Sequence, residues 1–267
     1  MAHIGRQHTH DFLSLIGVAP IEPSTSAFDP GYDAITLEGH LQQSHHLISL
    51  LKISMACWIV ADERVTRHKI AAAKAHSVPT VTGGGPFEIA VAQGRLPAYL
   101  DLCADIGVTR IECGEGFTDM PLGAREVVAM ANSRGLEVQF EIGKKHNGAF
   151  EDEMVGQLID QGNRWLDAGA LEVIVEARES AKGVGLFDGD GNLSYRCANS
   201  FGLRRVTFEA PNKPSQFALL DHFGREVRLA NVRLEELLRV EIYRRGLHSD
   251  VFEKPNLRPL KTPQQAA

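Results

Sequence analysis

The stretch GRLPAYLDLCADIGVTRIECGE, residues 94–115, contains the unit from which the fold is predicted. Its first part has apolar residues at three- and four-residue spacing and ends in glycine, a pattern typical of an amphipathic helix with a glycine C-cap. Its second part, residues 110–113, is a short β-like run that carries Glu112 and is followed by Glu115. The stretch therefore predicts a helix followed by a strand with carboxylates at its end.

The same unit recurs along the whole chain. Short β-like runs lie at residues 25–28, 50–54, 80–82, 110–113, 138–142, 172–175, 205–208 and 228–231, with longer helical patterns between them. Because parallel strands need helical crossovers, eight such units predict an α/β fold, a single closed (β/α)8 barrel. An open doubly wound sheet is the alternative, but the regular units and the lack of a GxGxxG motif favour closure. We expect an N-terminal extension at residues 1–23, the barrel at residues 24–252 and a C-terminal tail at residues 253–267.

Composition excludes several classes of function. The chain has 267 residues, of which 43% are hydrophobic and 23% charged, as in ordinary globular proteins. A net charge of -6 argues against nucleic-acid binding, because no excess of Lys and Arg can neutralise phosphates. No apolar stretch approaches the ~20 residues of a membrane span, and we find no secretion signal. The four cysteines form no CxxC pair and have no metal-ligand spacing with histidine, so we expect a reduced, cytoplasmic protein.

Polar residues follow every predicted strand. In a barrel these carboxyl ends surround one mouth, where the catalytic residues of such enzymes lie. Each residue taken alone is typical of a solvated loop, but converging carboxylates repel each other unless a cation joins them. Oxygen-rich clusters suit Mg²⁺, and lysine and arginine suit an anionic substrate. The candidates are Asp29, Lys52, Gly83, Gly84, Glu112, Glu141, Lys144, Lys145, Glu176, Arg178, Glu209, Lys213 and Asn231.

The glycine stretch TVTGGGPFE, residues 80–88, has two interpretations. The backbone amides at Gly83 and Gly84 are suited to cradle a phosphate. Tight turns between a strand and a helix also use glycine for purely steric reasons. The sequence leaves both interpretations open.

Five stretches together resemble motifs of the phosphosulfolactate synthase family. They are EIGKK (residues 141–145), VIVEARES (173–180), GLFD (185–188), FEAPNKPSQ (208–216) and RRGLHSD (244–250), in the family's order. The resemblance covers roughly residues 24–250 and is weaker in the first half, where the family's VKFGWGTS corresponds to LKISMACW, which keeps Lys52. It implies a barrel enzyme that adds sulfite to phosphoenolpyruvate with Mg²⁺, acting as a homo-oligomer. The alternatives are another Mg²⁺-dependent enolate or carbon–heteroatom reaction on a small anion, or an inactive barrel with a stress or regulatory role.

The resemblance, combined with the strand-end pattern, implies roles for the candidates. We expect Glu112, Glu141 and Glu176, with Glu209 nearby, to hold Mg²⁺. Lys144 or Lys145 is expected to donate a proton to the α-carbon of the substrate. Lys52 is the third catalytic candidate, and with Arg178 it is expected to hold the substrate anions. Further substrate-binding candidates are Asp29, Gly83, Gly84, Ser180, Lys213 and Asn231.

Overall fold

The eight strands of the chain form a closed parallel barrel. A computed structural model describes residues 8–116, 118, 120–143, 152–176, 188–251, 254 and 257. Within these residues each strand pairs with the next in chain order, and the last pairs with the first. The strands are β1 (Thr25–Asp29), β2 (Ile48–Ile53), β3 (Thr80–Thr82), β4 (Arg110–Gly114), β5 (Glu137–Ile142), β6 (Val173–Val175), β7 (Val206–Glu209) and β8 (Leu229–Arg233).

The predicted barrel is thereby confirmed, and the open doubly wound alternative is wrong. Each strand begins and ends within two residues of its predicted position. The agreement has a simple cause, since every strand is a short run of mostly buried residues bounded by loops and helices with a different period.

Helices surround the barrel and connect its strands. Gly107 adopts the left-handed conformation at the end of the helix in the 94–115 stretch, with φ of 92°, as the glycine C-cap predicts. No helix within the described ranges is long and apolar enough to cross a bilayer. The helices are α1 (His8–Leu15), α2 (Ala34–Ser44), α3 (Cys57–Val60), α4 (Glu63–Ala75), α5 (Gly84–Ala92), α6 (Leu96–Ile106), α7 (Ala124–Asn132), α8 (Asp152–Ala168), α9 (Asp188–Phe201), α10 (Lys213–Phe223) and α11 (Leu237–Arg244).

The hydrophobic core lies between the strands and the helices. Phe140 on β5 stacks on Trp165 of α8 with a centroid distance of 4.4 Å, and both side chains are almost fully buried. The cysteines are free thiols. Burial raises the pKa of Cys103 and of Cys197 to about 12, so both remain protonated and unreactive near neutral pH.

Ion pairs around the buried Glu172 lie at the amino-terminal end of the barrel. Arg110 on β4 contacts Glu137 at 3.1 Å and also pairs with Glu172, which lies 3.0 Å from Arg228. These pairs join β4 and β5 to the starts of β6 and β8. The strand-end residues converge at the opposite, carboxyl end of the barrel.

Candidate active site

A cavity of about 500 Å³ lies at the carboxyl ends of the strands. Its volume falls in the range of small-molecule sites. Residues from both halves of the barrel line it, so barrel closure is what creates the site. The predicted site residues among them are Lys52, Gly83, Gly84, Glu112, Glu141, Glu176, Glu209 and Asn231.

The floor of the cavity is formed by the ammonium group of Lys52 and the carboxylates around it. Lys52 lies on β2, and its side chain is only 7% exposed. Its Nζ atom lies 2.8 Å from Glu112 Oε1 on β4, 3.4 Å from Glu209 Oε1 on β7 and 3.9 Å from Glu141 Oε2 on β5. Four strands thus supply one buried ionic cluster, which we call the Lys52 cluster.

Two opposed effects set the pKa of Lys52. Burial lowers it, whereas the negative charges of Glu112, Glu209 and Glu141 raise it, and the carboxylates prevail. Lys52 therefore keeps its proton near neutral pH. It can stabilise negative charge, but it is poorly suited to give up a proton.

Glu112 is held by hydrogen bonds on both carboxylate oxygens. The amide of Gly84 donates to Oε1 at 3.0 Å, and Gln139 Nε2 donates to Oε2 at 2.9 Å. Arg110 donates to Gln139 Oε1 at 3.3 Å, which links the cluster to the amino-terminal end of the barrel. The position of Glu112, and through it that of Lys52, is therefore fixed before any ligand binds.

Glu209 is held in a similar way from β8. The side-chain amide of Asn231 donates to Glu209 Oε1, which also faces Lys52. Asn231 has a left-handed backbone with φ of 56°, a conformation that asparagine tolerates better than most residues. Its Oδ1 atom is buried and has no hydrogen-bond partner within the described residues. Buried polar atoms normally have a partner, and Asn231 lines the cavity, so this oxygen lies next to the space where a ligand would bind.

Glu141 and Glu176 extend the acidic floor towards β6. Burial raises the pKa of Glu141 well above its ordinary value, and the charges of Glu112, Glu209 and Glu176 raise it further, against the lowering effect of Lys52. Among the described residues of the floor, the carboxylates outnumber the ammonium group of Lys52. A further cation would relieve this repulsion.

Gly143 allows β5 and β6 to approach each other at this point. Its φ is 145°, and a Cβ atom there would lie 2.8 Å from Glu176 Cβ and 3.0 Å from Glu176 Oε2. No larger residue fits without moving Glu176. The glycine of the EIGKK stretch therefore serves the placement of a carboxylate on the neighbouring strand.

The donor set fits Mg²⁺ through two carboxylates rather than four. Glu112 and Glu209 are committed to Lys52 and to amide donors. In the part of the chain that the structure describes, no group of three or more His, Cys, Asp or Glu residues is spaced to hold a metal ion. Mg²⁺ commonly uses one or two carboxylates and completes its shell with water and substrate oxygens. The carboxylates that fit this pattern are those of Glu141 and Glu176, which line the cavity.

The structure favours the steric interpretation of the glycine turn. A Cβ atom at Gly83 would lie 2.9 Å from the backbone nitrogen of Met55, so two loops meet there in a space that only glycine leaves free. The amide of Gly84 is bonded to Glu112. Gly83 and Gly84 both line the cavity at the start of α5.

Two predicted substrate-binding residues lie away from the cavity, and the first is Asp29. Its Oδ1 atom accepts hydrogen bonds from the amides of Gly31 at 2.8 Å and Tyr32 at 2.7 Å, and its carboxylate pairs with Lys69. Asp29 thus holds the turn after β1.

The second is Lys213, which is exposed in the first turn of α10, with Nζ 5.0 Å from the ring centroid of Phe217. Four other predicted site residues, Lys144, Lys145, Arg178 and Ser180, lie outside the described residues.

Sequence reasoning missed several residues of the site. Gln139 positions Glu112, and its place two residues before Glu141 on one face of β5 is the signal that would have found it. Met55, Ile89 and Arg233 also line the cavity. Met55 and Ile89 are apolar, and Arg233 lies beyond the predicted end of β8, so the search for polar strand ends passed over all three.

Comparisons with known proteins find relatives of one family. The model of the family described as (2R)-phospho-3-sulfolactate synthase (ComA) matches residues 22–250. A phosphosulfolactate synthase from Methanocaldococcus jannaschii is 33% identical over 235 residues, which cover 86% of this chain and 94% of that protein. Another from Methanothermobacter thermautotrophicus is 26% identical, over 87% of this chain and 92% of that protein.

A solved structure shares the fold alone. It is a crystal structure of KGPDC from Streptococcus mutans, with a TM-score of 0.55 and 13% sequence identity. The match covers 88% of this chain and all of that one. At this identity the likeness extends to the barrel and not to its chemistry.

Proposed function

This chain belongs to the (2R)-phospho-3-sulfolactate synthase (ComA) family, and on that premise we propose that it adds sulfite, or a related sulfur nucleophile, to phosphoenolpyruvate with Mg²⁺. The observation that carries the proposal is the Lys52 cluster, a buried permanent cation held among carboxylates on the floor of a cavity of small-molecule size.

The reaction requires stabilisation of negative charge. A carbon–sulfur bond forms at C3 of phosphoenolpyruvate, and the electron pair of the C2–C3 double bond moves towards C2 and the carboxylate. A proton then adds to C2, and the phosphoryl group stays in place. The first step brings two anions together and creates a dianionic carboxylate, so it needs fixed positive charge.

Lys52 supplies such charge in our proposal. Its ammonium group is buried and positioned in advance by Glu112 and Glu209, so little reorganisation is needed when charge develops on the substrate. Glu112 is in turn held by Gln139 and the Gly84 amide. Replacing any of these residues is expected to reduce turnover by displacing Lys52.

Mg²⁺ would be held by Glu141 and Glu176, which line the cavity together with Asn231. When bound, the ion neutralises charge on the substrate carboxylate and phosphate. Glu141 favours such an ion because its own ionised form is destabilised by its neighbours.

The proton donor is assigned from the resemblance alone. Lys144 and Lys145 follow β5 and Gly143 in the sequence. One of them donates the proton to C2 in our proposal, since Lys52 holds its own proton too firmly for that step.

The test is product formation by the purified protein. Phosphoenolpyruvate and sulfite are incubated with the protein and Mg²⁺, and phosphosulfolactate is followed by mass spectrometry. We expect product with Mg²⁺, none after EDTA treatment, and recovery when Mg²⁺ is restored. Full activity in EDTA would refute the metal assignment.

A thermal shift assay separates an enzyme of another specificity from an inactive barrel. Phosphoenolpyruvate is added with and without Mg²⁺, and a larger stabilisation in the presence of both indicates a metal-linked anion site. Stabilisation without product would point to another Mg²⁺-dependent reaction on a small anion. No stabilisation by either compound would refute the proposed substrate.

A further inference from the structure

The cavity has two chemically different sides. The floor carries the Lys52 cluster with Glu141 and Glu176. The wall formed by β1 and the segments after β1, β2 and β3 is apolar and contains Phe28, Pro30, Met55, Ala56, Pro86 and Ile89, which we call the apolar wall.

Two side chains of the apolar wall are not packed in the protein core. Met55 is 61% exposed and Ile89 55% exposed, although both are large hydrophobic residues that line the cavity. Exposed apolar surface next to a binding site is typical of surface that a ligand covers.

The position of Met55 is built into the fold. Its φ of 44° lies in the left-handed region, which is costly for a residue with a long side chain. Its backbone packs so closely on Gly83 that a Cβ atom there would lie 2.9 Å from the Met55 nitrogen. Two unusual backbone features thus hold this part of the apolar wall in place.

Neither substrate named above uses such a wall. Sulfite and phosphoenolpyruvate are small, strongly hydrated anions with little or no apolar surface. An apolar wall gives them no hydrogen bonds and removes water from them, which is unfavourable. The apolar wall therefore suits a ligand that has an apolar group.

We propose that the sulfur nucleophile of this protein is an organic thiol with a short apolar chain, which the apolar wall binds. The inference rests on the proposed addition to phosphoenolpyruvate. The thiol sulfur forms a bond to C3, the C2–C3 electron pair moves to C2, and C2 gains a proton as the thiol loses one. The product is a thioether that contains every atom of both reactants, so the addition needs no oxidant, reductant or further reactant.

Chain length provides a quantitative test. Unbranched alkanethiols from ethanethiol to hexanethiol are titrated into the protein by calorimetry without phosphoenolpyruvate, so that no reaction occurs. Burial of each methylene against the apolar wall is expected to tighten binding about fourfold. An affinity that does not change with chain length would overturn the inference.

Matched variants locate the effect. Ile89→Ser and Met55→Ser are expected to reduce the gain per methylene. Ile35→Ser is the control, because Ile35 is 83% exposed on α2 and does not line the cavity. The inference would be overturned if the wild type and the three variants gained equal affinity per methylene. It would also be overturned if only the Ile35 variant lost this gain.

Turnover distinguishes this inference from the proposed function. The same thiols are offered with phosphoenolpyruvate and Mg²⁺, in parallel with sulfite, and thioether and sulfonate products are measured by mass spectrometry. We expect kcat/KM for thiols to rise about fourfold per methylene. Product from sulfite but from no thiol would overturn the inference alone. Product from neither would refute the proposed function, while the binding series would still decide whether the apolar wall holds an alkyl chain.

Discussion

Replacing Lys52 by methionine removes the ammonium group of the Lys52 cluster while keeping a side chain of similar length. Glu112 and Glu209 would then stay buried beside Glu141 with no cation at the centre. We expect a folded but much less stable barrel, because buried carboxylates without a counter-charge are strongly unfavourable.

The size of the effect follows from the three distances. At an effective dielectric constant of about 20, charges separated by 2.8–3.9 Å attract each other by roughly 4–6 kcal/mol per pair. The cost of burying the lysine and the repulsion among the carboxylates offset most of this sum. Removing one partner of a buried pair typically costs about 3–5 kcal/mol, which corresponds to a fall in Tm of roughly 6–20 °C for a protein of this size.

The loss of thermal stability in Lys52→Met should be larger at high pH than at low pH. The pKa of Lys52 is raised, so its stabilising contribution in the wild type is fully present at every pH below the ordinary lysine value of about 10.4. The ammonium group of Lys52 also lowers the pKa of Glu141, so its removal raises that pKa further, and the variant gains more stability than the wild type from a proton on Glu141 at pH 5. The difference in Tm should therefore be larger at pH 8 than at pH 5.

Thermal unfolding followed by circular dichroism measures both quantities, in EDTA at each pH. Arg64→Met is the control, because Arg64 pairs with Asp62 on the surface with its side chain 91% exposed, and we expect almost no change in Tm. A fall below about 3 °C at pH 8, or a larger fall at pH 5, would contradict the account of the Lys52 cluster.

Three further predictions concern the carboxylates, the lysines and the glycine turn. Since the pKa of Glu141 is raised, the wild type loses stability as pH rises through that pKa. Glu141→Gln should therefore unfold at a higher temperature than the wild type at pH 8 in EDTA, with equal Tm values at pH 4. The variant lacks a carboxylate charge, so it should bind Mg²⁺ more weakly by calorimetry. A wild type that is more stable than the variant at pH 8 in EDTA would contradict the predicted order of Tm values. One of Lys144→Met and Lys145→Met should lower kcat by ~10²–10⁴-fold without rescue by arginine, and the other should mainly raise KM; near-normal kinetics in both would remove the proton-donor assignment. Gly83→Ala should destabilise the protein by about 1–3 kcal/mol through its clash with Met55, measured by chemical denaturation. Gly85→Ala, where a Cβ atom meets nothing within 4 Å, is the control that should stay near the wild type.

Local sequence patterns were sufficient to predict the barrel and several of the residues at the carboxyl ends of its strands. The period of apolar residues distinguishes strands from helices, and parallel strands joined by helices place all carboxyl ends on one side. The strand-end pattern predicted Lys52, Glu112, Glu141 and Glu209 at one mouth of the barrel, and these residues line one cavity there. Asp29 also ends its strand, but it lies away from the cavity and accepts hydrogen bonds from loop amides.

Only the tertiary structure decided how these charges are paired. A strand-end pattern shows that side chains share a mouth, but distances of a few ångströms between distant strands depend on register and barrel closure. The sequence thus predicted four carboxylates around a metal, whereas two of them are committed to Lys52. Strand alternation places Gln139 on the same face of β5 as Glu141, but its bond to Glu112 on the neighbouring strand depends on register. Met55 acts through a loop that is packed against Gly83. Their roles arise from contacts between segments far apart in the chain, and such contacts leave no local pattern in the sequence.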